Sequence, residues 1–158
     1  DTTTLSSFGR NVDALQVAEL LSGINDDKID PDTLSALKVW YLMPVLNAAG
    51  VGINEINWLD LVKRKGWPQR SFLSLSPVLL KAVNSAAENH HVAETVLLIN
   101  WLLHDVSLEK VNPADLASVI EALNQIGQSE TAKLFAQEVV KAHLMQLLVE
   151  KVTNGTQS

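Results

Sequence analysis

The sequence predicts an all-α protein made of stacked antiparallel helical hairpins, and three observations lead to that prediction. First, a small polar residue followed by proline opens a leucine-bearing segment three times, at Asp30-Pro31, Ser76-Pro77 and Asn112-Pro113. Asp, Ser and Asn cap helix N-termini, and proline suits the first helical position. Second, apolar residues recur at three- and four-residue spacings after each proline. Third, no stretch shows the alternation of apolar and polar residues that is typical of a half-buried strand.

The three proline-marked starts organise a single domain, residues 1–158. They are 46 and 36 residues apart (30 to 76, then 76 to 112), within the range of helical-hairpin repeats. We expect flexible ends where small polar residues dominate without apolar periodicity. The predicted parts are helical units of approximately 30–75, 76–111 and 112–151, with flexible ends at 1–10 and 153–158.

The sequence predicts about seven helices, and three of them lie before residue 76. A short helix fits 11–22, and the first long helix begins at Pro31. We expect a kink or break at Pro44, because proline removes a backbone hydrogen bond. A return helix fits 54–65, with its apolar residues on one side.

The second unit predicts a helix from Pro77 and a return helix over about 92–104. The return helix is apolar nearly all round. A helix without a polar face is typically buried on several sides, so we expect it to be the central element of the stack. Trp101 would then be a core residue, and Asn100 would join neighbouring units through a hydrogen bond.

The third unit predicts a helix from Pro113 that ends at Gly127, followed by a return helix over 129–150. The second and third units align without a gap at an offset of 37 residues. The alignment is one of pattern with few identities: it pairs Leu79 with Leu116, Val83 with Ile120, Leu97 with Leu134, and Leu102–Leu103 with Val139–Val140.

Gly127, Ala132 and Phe135 resemble the tetratricopeptide-type repeat over about 35 residues. In that family the glycine and the alanine let two helices approach closely. The family's tryptophan and tyrosine positions are not met, and the second unit has Asn89 or His90 where glycine would stand. The resemblance implies an α-solenoid that binds other proteins; an irregular helical bundle remains the alternative architecture.

Composition excludes several classes of protein. The chain has 47% hydrophobic residues, 19% charged residues and no cysteine, which excludes disorder, disulfides and thiolate metal sites. The longest uncharged run, 39–54, is shorter than the roughly 20 apolar residues of a bilayer span. Acidic ends surround a basic centre, with 2 acids and 6 bases over 38–81, which argues against a general nucleic-acid binder. The first residue, Asp1, predicts a processed product or an excised domain.

The strongest candidate site is the basic segment 63–70. Insertions in helical repeats often lie on the binding face, and the first unit is the longest. Lys and Arg bind carboxylates or phosphates, and a tryptophan can anchor a partner. The alternative is a helix C-terminus whose cations oppose the macrodipole, followed by a tryptophan that folds onto the core. The predicted partner-binding residues are Lys63, Arg64, Lys65, Trp67 and Arg70.

The histidines and the acidic loop do not predict a metal site. Glu88 and His91 have the Glu-x-x-His spacing of di-iron bundles, but the motif occurs once, so we predict a solvated turn at 89–91. His104 is expected to end a buried helix, and His143 to lie at the edge of an apolar seam. The loop that begins at Asp26 lacks the glycine and the glutamate of a calcium loop.

These observations predict a non-catalytic protein–protein interaction module or scaffold without catalytic residues, metal or cofactor. The expected partner is another protein, with an acidic patch that meets segment 63–70, and the long last helix also allows self-association. One alternative is a helical accessory domain of a larger enzyme that acts on a polyanionic or glycan substrate. A further alternative is a metal-dependent helical bundle.

Overall fold

The computed structural model describes residues 28–29, 40–53 and 71–156, and in these ranges the protein is all-α, as predicted. Single 3-10 turns, Trp40–Leu42 and Leu108–Lys110, lie before the first and fourth helices. The α-helices of the described ranges are α1 (Met43–Ala48), α2 (Pro77–Glu88), α3 (Val92–Leu102), α4 (Pro113–Gln125) and α5 (Ser129–Thr156).

Several predicted features lie outside the described residues. These are the helix over 11–22, the capped start at Asp30-Pro31 and the return helix over 54–65. The flexible end at 1–10 lies there as well. At the other end, α5 extends to Thr156 and so includes part of the segment 153–158.

Two of the three proline-marked helix starts lie in the described residues, and both have the predicted caps. The Ser76 side chain accepts a hydrogen bond from the Leu79 N–H at 3.4 Å, and Asn112 Oδ1 accepts one from the Ala114 N–H at 3.0 Å. Proline follows each cap at the start of the helix. These contacts satisfy first-turn N–H groups that have no partner inside the helix.

At Pro44, where a kink or break was predicted, a 3-10 turn gives way to an α-helix; the start of the predicted helix lies outside the described residues. A 3-10 turn precedes Met43, and Pro44 lies in the first turn of α1, where no intrahelical N–H is required. Gly50, with a φ of 84°, then ends the helix, and the next N–H, that of Val51, donates to the Leu46 carbonyl at 3.0 Å. This Schellman-type ending needs a left-handed residue, which glycine adopts without strain.

Strand pairing in the described residues consists of short parallel contacts between loops. Lys28–Ile29 (β1) pairs with Gly52–Ile53 (β2). Leu73 forms a bridge to Val111: its N–H donates to the Lys110 carbonyl at 2.7 Å, and its carbonyl accepts from the Asn112 N–H at 2.9 Å. These contacts join loops, and the core lies between helices.

The helices α2–α3 and α4–α5 form two hairpins, each joined by a three-residue connection, 89–91 and 126–128. Such short connections make consecutive helices antiparallel neighbours. Helix α2 packs against α3 and α4, and α4 also packs against α1 and α5. Helix α3 has a smaller contact with α4, whereas α5 also touches α1 and the Leu108–Lys110 turn.

The central helix is α4, and the prediction that the 92–104 segment would be central is wrong. The buried residues of α3 are Thr95, Ile99 and Leu102. An apolar sequence makes exposure unfavourable but does not provide a neighbouring helix, and among the described elements α3 has neighbours along one side. By contrast, α4 buries Pro113, Leu116, Ala117, Val119, Ile120, Ala122 and Leu123.

Helix α5 completes the core beyond α4. His143 is fully buried, rather than at the edge of an apolar seam as the sequence suggested. Its ring lies 5.5 Å from the Tyr41 ring and 5.8 Å from the Phe72 ring, measured between centroids. These three aromatic side chains bring the 71–76 segment and the 3-10 turn before α1 onto α5. In the described part of the chain, no helix is long and apolar enough to cross a membrane.

Candidate interaction surface on helix α3

Helix α3 presents an apolar surface to solvent, which we call the α3 face. Leu97 is 65% exposed and Trp101 is 68% exposed, although both belong to side-chain types that usually avoid water. Their apolar neighbours on the same side are exposed as well. The α3 face consists of Val92, Ala93, Val96, Leu97 and Trp101.

The helical spacing explains why these residues point away from the core. Thr95, Ile99 and Leu102 are spaced by four and three residues, so they share the side that packs against α2 and α4. Ala93, Leu97 and Trp101 follow one another at four-residue steps on the opposite side. Since α3 is apolar on both sides, burial of one side leaves the other side in water.

A single exposed hydrophobic residue needs no explanation, and Val78 shows the ordinary case. It is 79% exposed on α2, but Lys81, Ser85 and Glu88 share its solvent-facing side. The α3 face differs because its exposed apolar residues adjoin one another, with Asn100 as the polar residue among them. Contiguous apolar patches on a protein surface mark sites of protein or membrane interaction.

The second hairpin carries charged residues at the same positions. At the offset of 37 residues, Leu97 corresponds to Leu134, which is 62% exposed, so this position is apolar and exposed in both hairpins. Its neighbours differ. Ala93, Val96 and Trp101 of α3 correspond to Glu130, Lys133 and Glu138 of α5. The solvent-facing side of α5 is therefore adapted to water over this stretch, and the α3 face is not.

A histidine–carboxylate pair lies at each end of α3. His91 Nδ1 is 3.1 Å from Glu94 Oε2 before and within the first turn, and both side chains are 60% exposed. His104 Nε2 is 3.2 Å from Asp105 Oδ2 just beyond the last turn, and both side chains are largely exposed. The apolar surface is thus bordered by accessible carboxylates.

The wider surroundings of α3 are acidic. Between Lys81 and Lys110 the chain contains no Lys or Arg. The carboxylates of that stretch are Glu88, Glu94, Asp105 and Glu109. A ligand that covers the α3 face therefore meets the exposed carboxylates of Glu94 and Asp105 at its ends.

Of the residues singled out in the sequence, some lie where we predicted, some do not, and some lie outside the described residues. The turn at 89–91 is solvated, as predicted, and His91 approaches Glu94 rather than Glu88. The prediction of a core position for Trp101 is wrong, and so is that of a joining role for Asn100, because both are exposed. Helix α3 ends at Leu102, and His104 beyond it is exposed.

The basic segment 63–70 lies outside the described residues. Its predicted partner-binding residues are Lys63, Arg64, Lys65, Trp67 and Arg70.

The sequence did contain a signal for the α3 face. The 37-residue offset pairs the apolar residues of α3 with charged residues of α5, which distinguishes an exposed position from a core position. Apolar content alone does not make that distinction.

Among the described residues, no group of three or more histidine, aspartate or glutamate side chains is placed to hold a metal ion.

No protein-family model, curated protein or solved structure matches this chain. The function is therefore inferred from the surface that the described residues form. The resemblance to tetratricopeptide-type repeats stays a prediction from the sequence.

Proposed function

We propose that this protein is a non-catalytic protein–protein interaction module, built from helical hairpins, which binds its partner through the α3 face. The observation that carries the proposal is the contiguous exposure of Leu97, Trp101 and their apolar neighbours. Burial of apolar surface is the main favourable contribution to most protein association. An exposed tryptophan in such a surface is a typical binding hot spot.

The arrangement of the two hairpins supports a repeat-like scaffold. Helix α2 packs against its own return helix and against the first helix of the next hairpin, which is how stacked helical hairpins make contact. Burial also agrees at the 37-residue offset. The buried residues Thr95, Ile99 and Leu102 correspond to Ala132, Ala136 and Val139, which are buried too.

The basic segment adds a second proposed contact. Lys63, Arg64, Lys65 and Arg70 would bind carboxylates of the partner, and Trp67 would add apolar contact area. This contact and the α3 face are separable by mutation, because they involve different residues and different physical interactions.

Affinity purification with quantitative mass spectrometry tests the proposal. The full chain carries a tag, and its captured proteins are compared with those of the double variant Leu97→Ser and Trp101→Ser. We expect the abundance of the specific partner to fall by at least about 30-fold, because loss of a hot-spot tryptophan costs about 2 kcal/mol or more. A second variant, with alanine at Lys63, Arg64, Lys65 and Arg70, tests the basic segment at low salt.

The matched control is Leu134→Ser, since Leu134 has almost the same exposure as Leu97 and lies at the corresponding position of the other hairpin. Circular dichroism confirms that each variant is folded. If the α3 variant and the Leu134→Ser control capture the same proteins in the same amounts, the α3 face is not the binding surface and the proposal is wrong.

A further inference from the structure

We infer that the occupant of the α3 face is an amphipathic helix of a partner protein, whose apolar stripe is flanked by Lys or Arg. This inference rests on the proposed function and adds the chemistry of the partner. It follows from the shape of the α3 face and from the charge that surrounds it.

The shape of the surface fits a helix. Ala93, Leu97 and Trp101 form a row at four-residue spacing along α3, and such rows are the ridges that interlock when two helices pack. The small side chain of Ala93 permits close approach, and Trp101 offers a large anchor at the other end. A helix laid on this row would continue the packing that α2 makes on the opposite side.

The charge around the α3 face favours a partner helix that carries Lys or Arg. Glu94 and Asp105 stand at the two ends of α3, with side chains that are 60% and 89% exposed, and Glu88 is exposed just before the hairpin turn. Lys or Arg beside the apolar stripe of the partner would meet these carboxylates. Charge complementarity of this kind steers encounter and suppresses partners of the wrong sign.

The same charges disfavour two other occupants. A second copy of this chain would bring its own Glu94 and Asp105 towards the same acidic surroundings, and like charges across an interface reduce affinity. An anionic membrane would be repelled in the same way. A basic amphipathic helix is the occupant that satisfies both the apolar surface and its acidic border.

A binding titration with two synthetic helices tests the inference. Each probe is a fluorescein-labelled, stapled peptide of about 16 residues, long enough to hold a helix, with leucines at i, i+4 and i+7. One probe carries lysines beside the leucines, and the other carries glutamates at those positions. Fluorescence anisotropy with the full chain at low salt should give saturable binding of the lysine probe, at least tenfold tighter than that of the glutamate probe.

Charge-matched variants locate the interaction. The variant Glu88→Gln, Glu94→Gln and Asp105→Asn removes three carboxylates around α3, whereas Glu121→Gln, Glu130→Gln and Glu138→Gln removes three exposed carboxylates of α4 and α5. We expect the first variant to weaken the lysine probe roughly tenfold and the second by less than twofold, since each exposed ion pair contributes a few-fold at most. Leu97→Ser should weaken the probe, and Leu134→Ser should not.

The remaining outcomes overturn the inference and separate it from the proposed function. Equal binding of both probes, absence of binding, or equal effects of the two charge variants would mean that charge does not select the occupant. Concentration-dependent self-association that Trp101→Ser abolishes would make a second copy the occupant. Sedimentation with vesicles of phosphatidylcholine and phosphatidylserine, if abolished by the same variant, would make it a membrane. In each case a difference between Leu97→Ser and Leu134→Ser in partner capture would still support the proposed function.

Discussion

The two hairpins, α2–α3 and α4–α5, share an inner side and differ on the outer side. Their connections have the same length, and buried positions of α3 recur 37 residues later in α5. On the solvent side, however, Trp101 of the first hairpin corresponds to Glu138 of the second. The inner side is set by packing, which both hairpins require. Packing does not require the outer side to be apolar, so its apolar character in α3 supports the proposed role in binding.

The hairpins also differ in what surrounds them. Helix α5 is covered by α4, by α1 and by the Leu108–Lys110 turn, whereas α3 has α2 and, to a smaller extent, α4. The additional cover on α5 buries Val140, His143, Leu144 and Leu147. Similar local sequence patterns therefore give a core helix in one case and a half-exposed helix in the other.

The largest expected effect contrasts a buried leucine with an exposed leucine. Leu116→Ala on α4 should lower the free energy of unfolding by about 2–5 kcal/mol, because Leu116 is fully buried and its truncation leaves a cavity. Leu97→Ala should change it by less than about 0.5 kcal/mol, as an exposed substitution between two strong helix formers does. Urea unfolding followed by circular dichroism measures both. Similar losses in the two variants would mean that the α3 face is covered.

A medium effect is expected at the link between the hairpins. The Leu75 N–H, just before α2, donates to Asp115 Oδ2 in α4 at 2.9 Å. Asp115→Ala should lower the free energy of unfolding by about 1–2 kcal/mol, because a backbone donor loses a charged acceptor. Asp115→Asn keeps an acceptor oxygen and should lose less, in the same urea experiment. An alanine variant as stable as the original protein would show that the link contributes nothing to holding the hairpins together.

The smallest expected change in the free energy of unfolding comes from substitutions in the two hairpin turns. His90 ends α2 with a φ of 56°, and Gly127 ends α4 with a φ of 80° at the corresponding position. His90→Gly should raise the free energy of unfolding by about 1 kcal/mol and Gly127→Ala should lower it by about 1 kcal/mol, since a side chain disfavours left-handed backbone. No heavy atom lies within 4 Å of a Cβ built on Gly127, so the loss reports backbone strain alone.

The control for this exchange is His91→Gly. His91 has a φ of −82°, where glycine relieves no strain, so this variant should not be more stable than the original protein. Thermal unfolding of the three variants measures the shifts. If His91→Gly stabilised as much as His90→Gly, the left-handed conformation of His90 would not be the cause.

The helix starts were predictable because their chemistry is local. Ser76-Pro77 and Asn112-Pro113 contain the capping oxygen and the fixed φ that a first turn needs, so no distant residue has to be known. The end of α1 at Gly50 and the position of Pro44 in its first turn follow from the same kind of local reasoning. Whether α3 would be covered depended instead on which helices lie beside it, and the periodicity of α3 contains no such information.

The candidate site was missed for the same reason. Leu97 and Trp101 look like core residues in a segment that is apolar all round, and their exposure follows from the absence of a covering element on that side among the described residues. The comparison with Leu134 and Glu138 shows which information identifies an exposed position. A position is recognised as exposed when a corresponding position elsewhere in the chain tolerates charge.

The fluorescence of Trp101 gives the most direct test of the central claim, that the α3 face is open to solvent in the isolated protein. The emission spectrum of Trp101→Phe is subtracted from that of the original protein, with and without acrylamide. We expect a difference spectrum with the red-shifted maximum of a hydrated indole and with strong quenching, because Trp101 is 68% exposed. A blue-shifted difference spectrum that acrylamide does not quench would show that the α3 face is covered in the isolated protein, and the proposed binding surface would then be wrong.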